Sequence, residues 1–326
     1  MRAVALVNRN ARRARSGAAD RLARAAPGQV RLTGSLDEAR AVIRDEVGRG
    51  VDLVVFAGGD GTVVMGLAML AEACRGHARP EPAVGVLRLG AGNAIADAVG
   101  ATSDPAADLA RLVRGDGAWR AAPMIDVLGV RAPFVGVGVD AQLLEDQRAV
   151  GDVIDRVPGG RFVGGAARYA LSVALRSVPR FARGDRPHAV VRNAGAPAIE
   201  MARTGPTGAH HAAGAVLWQG ACTLIAGATI PYFGFGLKMF PFADARPDRF
   251  HLRCGDAGLL EIVRNTPAAF RGTYFSRHVR DFLCDRVVIE LDRASPVEAG
   301  GELLGTHPRI DLGLAAPVTF AMLGAR

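Results

Sequence analysis

The sequence predicts an α/β domain with a doubly wound parallel sheet, followed by a β-rich, sandwich-like domain. In the first third of the 326-residue chain, short apolar strands alternate with helical segments, as in a doubly wound sheet. After about residue 123 the apolar runs follow one another as strand after strand. We therefore predict a first domain over residues 1–123 and a second over 124–326, whose last residues could return to the first domain.

The elements of the first domain follow from its apolar runs and its helix caps. Ser35 precedes one amphipathic segment, and Asp104 precedes another that has Pro105 in its first turn. The predicted strands cover residues 3–7, 29–33, 52–57 and 83–89, and the predicted helices cover 11–25, 36–47, 63–74, 93–99 and 104–113.

The second domain is predicted mainly from β-type apolar runs. Two helical segments interrupt them, at 162–178 and 259–270, and the stretch 204–214, which contains His210 and His211, is predicted to be an exposed loop. The predicted strands cover 125–130, 134–139, 188–192, 198–202, 216–225, 250–253, 286–291 and 309–314.

Composition excludes several classes of protein. The four cysteines form no CxxC pair, which fits a reducing, cytoplasmic setting, and no apolar run approaches the roughly 20 residues of a bilayer span. The formal charge of +8 favours anionic partners, but the arginines are spread along the chain, so we expect no nucleic-acid platform. Lys238, the only lysine, lies in neither a Walker A loop nor a protein-kinase strand, which excludes both of those classes.

The most informative stretch is "VDLVVFAGGDGTVVMGLAML", in which a buried strand breaks into glycines and resumes as a helix. Gly58, Gly59 and Gly61 would let backbone N–H groups approach an anion closely, and the helix N-terminus adds favourable partial charge. Thr62 can cap the helix or donate to a phosphate oxygen. Asp60 becomes useful beside phosphates if it serves a magnesium ion or takes a proton from an attacking hydroxyl.

A second glycine turn lies in "AVGVLRLGAGNAIADAVG", again between a strand and a short helix. Gly90 and Gly92 bracket this turn, and Asn93 can cap the helix and hydrogen-bond a ligand. Two such turns after adjacent strands would form the two walls of one nucleotide cleft.

These residues resemble the diacylglycerol kinase catalytic-domain family, which includes bacterial lipid kinases and the sphingosine and ceramide kinases. The pentad "GGDGT" and "GVLRLGAGNAIADAVG" are its most specific signals, and "ALVNRNARR", "VRLTGSLDEA", "FVGVGVDA", "GATIPYFGFGLKMFPFADARPDRFHLR" and "PVEAGGELLG" resemble other family motifs in the expected order. The resemblance implies an NAD-kinase-like first domain that binds ATP and Mg²⁺, with a cleft that admits a lipid hydroxyl.

The resemblance also implies a role for each matching residue. Asp60 and Glu302 would be catalytic, with Glu302 as the proton acceptor, Asp140 would meet the lipid head group, and Asp248 would belong to a metal site. The nucleotide would be held by Asn8, Thr33, Gly58, Gly59, Gly61, Thr62, Gly90, Gly92 and Asn93.

Three positions depart from the family pattern and leave alternatives open. Gly300 stands where the last motif normally has an aspartate, Ala91 replaces a common threonine, and the acidic turn reads Pro247-Asp248-Arg249. A nucleotide- or lipid-binding protein without turnover, and a kinase of a soluble lipid-like metabolite, are therefore alternatives. An NAD kinase or a phosphofructokinase would share the first turn, but their further motifs are absent.

The aromatic segment, residues 231–242, has two interpretations. It is either core at the domain interface or a lipid-facing wall, in which Lys238 meets a head group or an anionic surface. With the second interpretation we expect a cytoplasmic protein that visits the membrane surface transiently. A β-rich domain with an exposed edge also makes a homodimer possible.

Overall fold

A computed structural model describes residues 1–11, 17–156, 179 and 186–324. The predicted helix 162–178 lies outside the described residues. The chain forms an N-terminal α/β domain and a C-terminal β-rich domain, so the predicted fold class is confirmed.

The first domain is a parallel sheet with helices on it. Its strands lie in the order β2-β1-β3-β4, and every neighbouring pair is parallel. Helices α2 and α5 begin where their caps predict, because Ser35 accepts a hydrogen bond from Glu38 N and Asp104 accepts from Ala106 N and Ala107 N. The elements are β1 Ala3–Asn8, α1 Ala18–Ala25, β2 Val30–Thr33, α2 Leu36–Gly48, β3 Leu53–Gly58, α3 Asp60–Gly76, β4 Ala83–Arg88, α4 Ala94–Ala98 and α5 Pro105–Arg114.

The second domain is built almost entirely of antiparallel strands. Helix α6 packs on β7 and β15, and the predicted helix 259–270 is present as α7. The elements are β5 Ala118–Val127, β6 Val130–Ala132, β7 Phe134–Gly138, α6 Val139–Arg156, β8 His188–Asn193, β9 Ala198–Ala202, β10 Gly205–His211, β11 Val216–Ala221, β12 Leu224–Ala228, β13 Phe250–Gly255, α7 Leu259–Arg271, β14 Val279–Cys284, β15 Arg286–Ala299 and β16 Glu302–Met322.

The last two strands join the domains. They form a long antiparallel hairpin, and β16 pairs in addition with β5 and, through Phe320 and Val84, with β4 of the parallel sheet. The described strands thus form one hydrogen-bonded network in the order β10-β9-β14-β13-β12-β7-β15-β16-β4-β3-β1-β2, with β8 branching from β15. The predicted boundary at residue 123 falls inside β5, and the turn that opens the β15–β16 hairpin lies where the domains meet.

Two predicted segments of the second domain differ in the structure. The predicted loop 204–214 contains β10, whose His211 is hydrogen-bonded to Glu200 of the adjoining strand β9. The predicted strand 216–225 is two strands, β11 and β12, which pair with different partners. Both differences arise from strand pairing that is not visible in local composition.

A charged cluster is buried in the second domain between β13 and β14. Asp281 accepts hydrogen bonds from His251 Nε2 at 2.8 Å and from Arg253 Nε at 2.7 Å, and all three side chains are almost completely shielded from solvent. The rings of Phe240 and Phe242, from the aromatic segment, lie edge-on to His251. The cluster therefore packs against the aromatic segment through the ring of His251.

Among the described residues, no helix has the length and apolar character that a bilayer crossing requires.

Candidate functional site

The two glycine turns meet at the carboxyl ends of β3 and β4. These strands are parallel neighbours, and Leu89 N donates to Gly58 O at 3.2 Å just where both strands end. A Cβ atom on Gly90 would collide with the Cα atom of Gly59. The backbones of the two turns are thus in direct contact, at a separation that only glycine permits.

The first turn is continuous with helix α3. The helix begins at Asp60, three residues earlier than the sequence predicts, and Gly59 stands at its N-cap without a side-chain cap. Asp60, Gly61 and Thr62 therefore form the first helical turn, whose N–H groups have no partner within the helix. The pentad places a helix N-terminus, with its partial positive charge, at the end of the strand.

Asp60 links the two turns. Its carboxylate accepts hydrogen bonds from Ile95 N at 2.8 Å and from Ala94 N at 3.1 Å, which are the first N–H groups of α4. The side chain is 9% exposed, and this burial raises the pKa of the Asp60 carboxyl, although the two backbone donors oppose the shift. Asp60 thus positions α4 against α3, and its catalytic role stays a prediction.

Asn93 does not cap helix α4 as the sequence predicts. It stands at the N-cap position with φ 56°, but its side-chain amide accepts from Gly90 N and donates to Gly90 O, both at 2.9 Å. The cap of α4 is supplied by Asp60. Because the amide closes the second turn on itself, Asn93 shapes the glycine turn. Its role in holding a nucleotide stays a prediction.

Glu302 approaches the first turn from the other domain. It begins β16, directly after Gly300 and Gly301, which have φ values of 56° and 83°. A Cβ atom on Gly61 would collide with the Glu302 carboxylate, so that carboxylate lies against the first turn of α3. The sequence identifies Glu302, and the structure brings it to the pentad.

Glu298 is a site residue that sequence reasoning missed. Its carboxylate is buried and accepts a hydrogen bond from Gly301 N at 2.7 Å, which fixes the turn that presents Glu302. Its position four residues before Glu302, in the same motif, is the signal that could have found it. A Cβ atom on Gly300 would collide with Val64, so the side chain of Val64 closes the space beside this position.

A cavity of about 220 Å³ opens beside the first turn. At its polar end Asn8 Nδ2 donates to Thr62 Oγ1 at 3.1 Å. The cavity brings together the predicted residues Asn8, Thr33, Gly61, Thr62 and Glu302, and its apolar wall is formed by Leu6, Ile43, Phe56, Met65 and Met69. A nucleotide requires polar groups for its phosphates and an apolar wall for its base, and this cavity has surfaces of both kinds.

The cavity lining does not include the predicted residues Gly58, Gly59, Asp60, Gly90, Gly92 and Asn93, which form or adjoin the two turns. Two further predicted residues lie elsewhere. Asp140 belongs to the first turn of α6, and its side chain lies outside the described part of the structure. Asp248 is exposed and accepts two hydrogen bonds from Arg246 and one from Arg249. No three His, Cys, Asp or Glu side chains of the described residues could together hold a metal ion. The structure therefore gives Asp248 an ion-pair role and no support as a metal ligand.

The first domain matches a known protein family in sequence. Residues 2–122 match the family model of the diacylglycerol kinase catalytic domain, so the first domain carries the sequence pattern of a kinase family. No curated protein matches the chain in sequence.

Three solved structures of Bacillus anthracis Sterne proteins share the fold. One is named a diacylglycerol kinase and two are assigned provisionally to that activity. Their sequence identities to this chain are 14%, 15% and 16%, and their TM-scores are 0.63, 0.65 and 0.63. Each alignment covers 98% of this chain and 96%, 95% and 96% of the respective relative. At this identity the likeness concerns the fold, and it extends over both domains.

Proposed function

We propose that this protein is an ATP-dependent lipid kinase, which transfers the γ-phosphoryl group to a hydroxyl of a lipid such as diacylglycerol, ceramide or a sphingoid base. The observation that carries the proposal is the contact between the two glycine turns at the N-terminus of α3, with the carboxylate of Glu302 against Gly61. Phosphoryl transfer needs positioning and charge stabilisation more than covalent help, and this arrangement supplies both.

The residues at the turns fit the cofactors that the proposal requires. The free N–H groups of the first turn of α3 can hold phosphate oxygens, and the apolar wall by Phe56 can hold a base. Mg²⁺ usually binds through one or two carboxylates and the phosphates themselves, so Asp60 would be its protein ligand while Glu302 is kept for the proton of the acceptor. When bound, Mg²⁺ would neutralise charge on the phosphates.

The chain's own groups then have distinct tasks. Asn8 orients the Thr62 hydroxyl, while Asp60 and Asn93 keep the two turns in contact. Glu302 accepts the proton of the acceptor hydroxyl as its oxygen forms a bond to the γ-phosphorus and the bond to ADP breaks. Glu298 holds the turn that aims Glu302.

The proposal is tested by incubating γ-labelled ATP and Mg²⁺ with the protein and a total lipid extract. We expect label in an organic-phase product. In a parallel reaction, a water-soluble alcohol is added. Label that stays in the aqueous phase on this alcohol would indicate a soluble acceptor and contradict the lipid assignment. ATP binding without any transfer would indicate a binding protein, an outcome for which Gly300 gives a specific reason.

Replacing Gly90 with alanine tests whether contact between the turns matters. The added Cβ would press on the backbone of Gly59, which cannot move without displacing the phosphate-binding N–H groups. Since a misplacement of about 1 Å can cost about 10²-fold in rate, we expect a loss of that size, with weaker ATP binding measured by calorimetry.

The matched control for Gly90→Ala is Gly76→Ala. Gly76 lies in the last turn of α3, and a Cβ atom there would meet nothing within 4 Å. We expect unchanged ATP affinity and unchanged transfer in this variant. Equal behaviour of the two variants would contradict the role of the turn contact.

A further inference from the structure

Helix α7 shows an apolar face to solvent. Leu260, Val263 and Phe270 are 81%, 61% and 46% exposed. Their spacing of three and seven residues places them on one side of the helix, and Pro267, also exposed, lies between them. A surface helix normally turns its apolar stripe towards the core, so this outward stripe needs an explanation.

The inward side of α7 is occupied separately. Ala269 is buried, and Glu261 accepts a hydrogen bond from the Tyr274 hydroxyl at 3.1 Å. Glu261, the acidic residue of α7, is therefore turned towards the rest of the domain. Packing against the domain does not use the outward apolar stripe.

Basic side chains flank the outward stripe. Arg264 and Arg271 of α7 are both exposed, and Lys238 lies beside Gly272, which follows the helix. None of these three cations forms an ion pair with a described residue. Apolar residues rimmed by cations that have no ion-pair partner among the described residues are complementary to one kind of surface above all, an anionic lipid bilayer.

This face is connected to the second glycine turn. Lys238 N donates to Ala269 O at 3.0 Å, and Phe235 N donates to Gly92 O at 2.8 Å. Phe235 and Lys238 are three positions apart in the chain, a span of at most about 11 Å. Phe235 is 61% exposed and has φ 52°, a conformation that is rare for a bulky side chain. The aromatic segment thus exposes the Phe235 ring where the chain runs from the second glycine turn to α7.

We propose that the docking face, defined as Leu260, Val263, Arg264, Phe270 and Arg271, binds an anionic lipid bilayer and brings the catalytic cleft to the membrane surface. The inference rests on the proposed function for its purpose, since a lipid acceptor resides in the bilayer. The binding itself requires neither ATP nor turnover. The apolar residues enter the interfacial region, and the arginines meet the lipid phosphates.

Vesicle sedimentation without nucleotide tests the docking face. The full chain is mixed with neutral phosphatidylcholine vesicles, or with vesicles that contain about 30% of an anionic phospholipid. We expect binding to the anionic vesicles and much weaker binding to the neutral ones. Leu260→Ser combined with Val263→Ser and Phe270→Ser should weaken binding about tenfold or more. Arg264→Gln and Arg271→Gln should each weaken it about fivefold.

Leu128→Ser is the matched control, because Leu128 is a comparably exposed apolar residue, 44% exposed, in the turn between β5 and β6. It should bind vesicles as the wild type does. The substituted residues are exposed, so unfolding temperatures should stay unchanged. Absence of vesicle binding by the wild type, equal binding to both vesicle types, or a change from dimer to monomer in the triple variant would overturn the inference.

Kinase assays on a short-chain acceptor in detergent micelles separate this inference from the proposed function. The triple variant should keep wild-type transfer in micelles and lose transfer on vesicles. Vesicle binding that depends on the docking face, without transfer to any lipid, would support the docking face and contradict the kinase assignment. Transfer in micelles without vesicle binding would support the kinase assignment and contradict the docking face.

Discussion

Replacing Glu302 with glutamine is expected to lower the rate of phosphate transfer about 10²–10⁴-fold, the range of general-base catalysis. The carboxylate lies against Gly61 at the first turn of α3, and the proposed mechanism has the attacking hydroxyl lose its proton there. Glutamine keeps the shape of the side chain but cannot accept that proton. ATP affinity, measured by calorimetry, should change less than about threefold, because the phosphates are held by backbone N–H groups.

Glu290→Gln provides the control for this variant. Glu290 lies on the same hairpin, half-buried, where it forms an ion pair with Arg309. Its replacement should leave transfer unchanged. If Glu302→Gln transfers phosphate at the wild-type rate, the proton acceptor is another group, and Asp60 becomes the candidate.

The second large effect concerns the stability of the buried charged cluster. Asp281→Asn leaves the guanidinium of Arg253 buried without a counter-charge, and we expect a loss of about 3–5 kcal/mol in the free energy of unfolding. Urea denaturation monitors this loss. The aromatic segment should loosen with it, since Phe240 and Phe242 rest on His251.

The same cluster predicts the acid sensitivity of the fold. Burial alone would raise the pKa of Asp281, but the hydrogen bond from His251 and the charge of Arg253 lower it to about 2. Because this value lies below the ordinary 3.8, the unfolded chain binds the proton more tightly. The stabilisation is therefore complete above about pH 3.8 and disappears as the pH falls through about 2.

Burial also lowers the pKa of His251, so that the folded protein favours the neutral imidazole. The unfolded chain protonates first, near the ordinary value of 6.5, and stability declines as the pH falls below that value. Both titrations act in the same direction, towards acid unfolding.

Asp311→Asn is the surface counterpart of Asp281→Asn. Asp311 forms an exposed ion pair with Arg286, and such pairs contribute about 0–1 kcal/mol. Equal losses of stability in the two variants would contradict the account of the buried cluster. Replacement of both Asp281 and Arg253 by apolar residues should restore part of the loss.

Much of the first domain could be predicted because its signals are local. Alternating apolar runs fix the parallel sheet, and the caps at Ser35 and Asp104 fix two helix starts. The pentad is local as well: glycines between a buried strand and a helix predict a phosphate site, and that assignment stays a prediction. The start of α3 was misplaced because Gly61 lowers helix propensity, whereas the continuing helix holds the turn in a helical conformation.

The remainder depends on contacts between segments distant in the sequence. Asp60 caps α4 from 34 residues away, which no local pattern shows, and this is why Asn93 was predicted to be the cap. The sequence pattern also does not show that Asp248 forms ion pairs with Arg246 and Arg249. The role of Glu298 could not be predicted because its hydrogen-bond partner, Gly301 N, is a backbone group.

The measurement that tests the central claim most directly is mass spectrometry of the organic phase after reaction with unlabelled ATP. Diacylglycerol, ceramide and sphinganine are each offered in micelles to the wild type and to Glu302→Gln. The account predicts a phosphomonoester of at least one of these lipid alcohols, formed by the wild type and strongly reduced in the variant. Absence of every lipid phosphomonoester, from a protein that binds ATP, would contradict it.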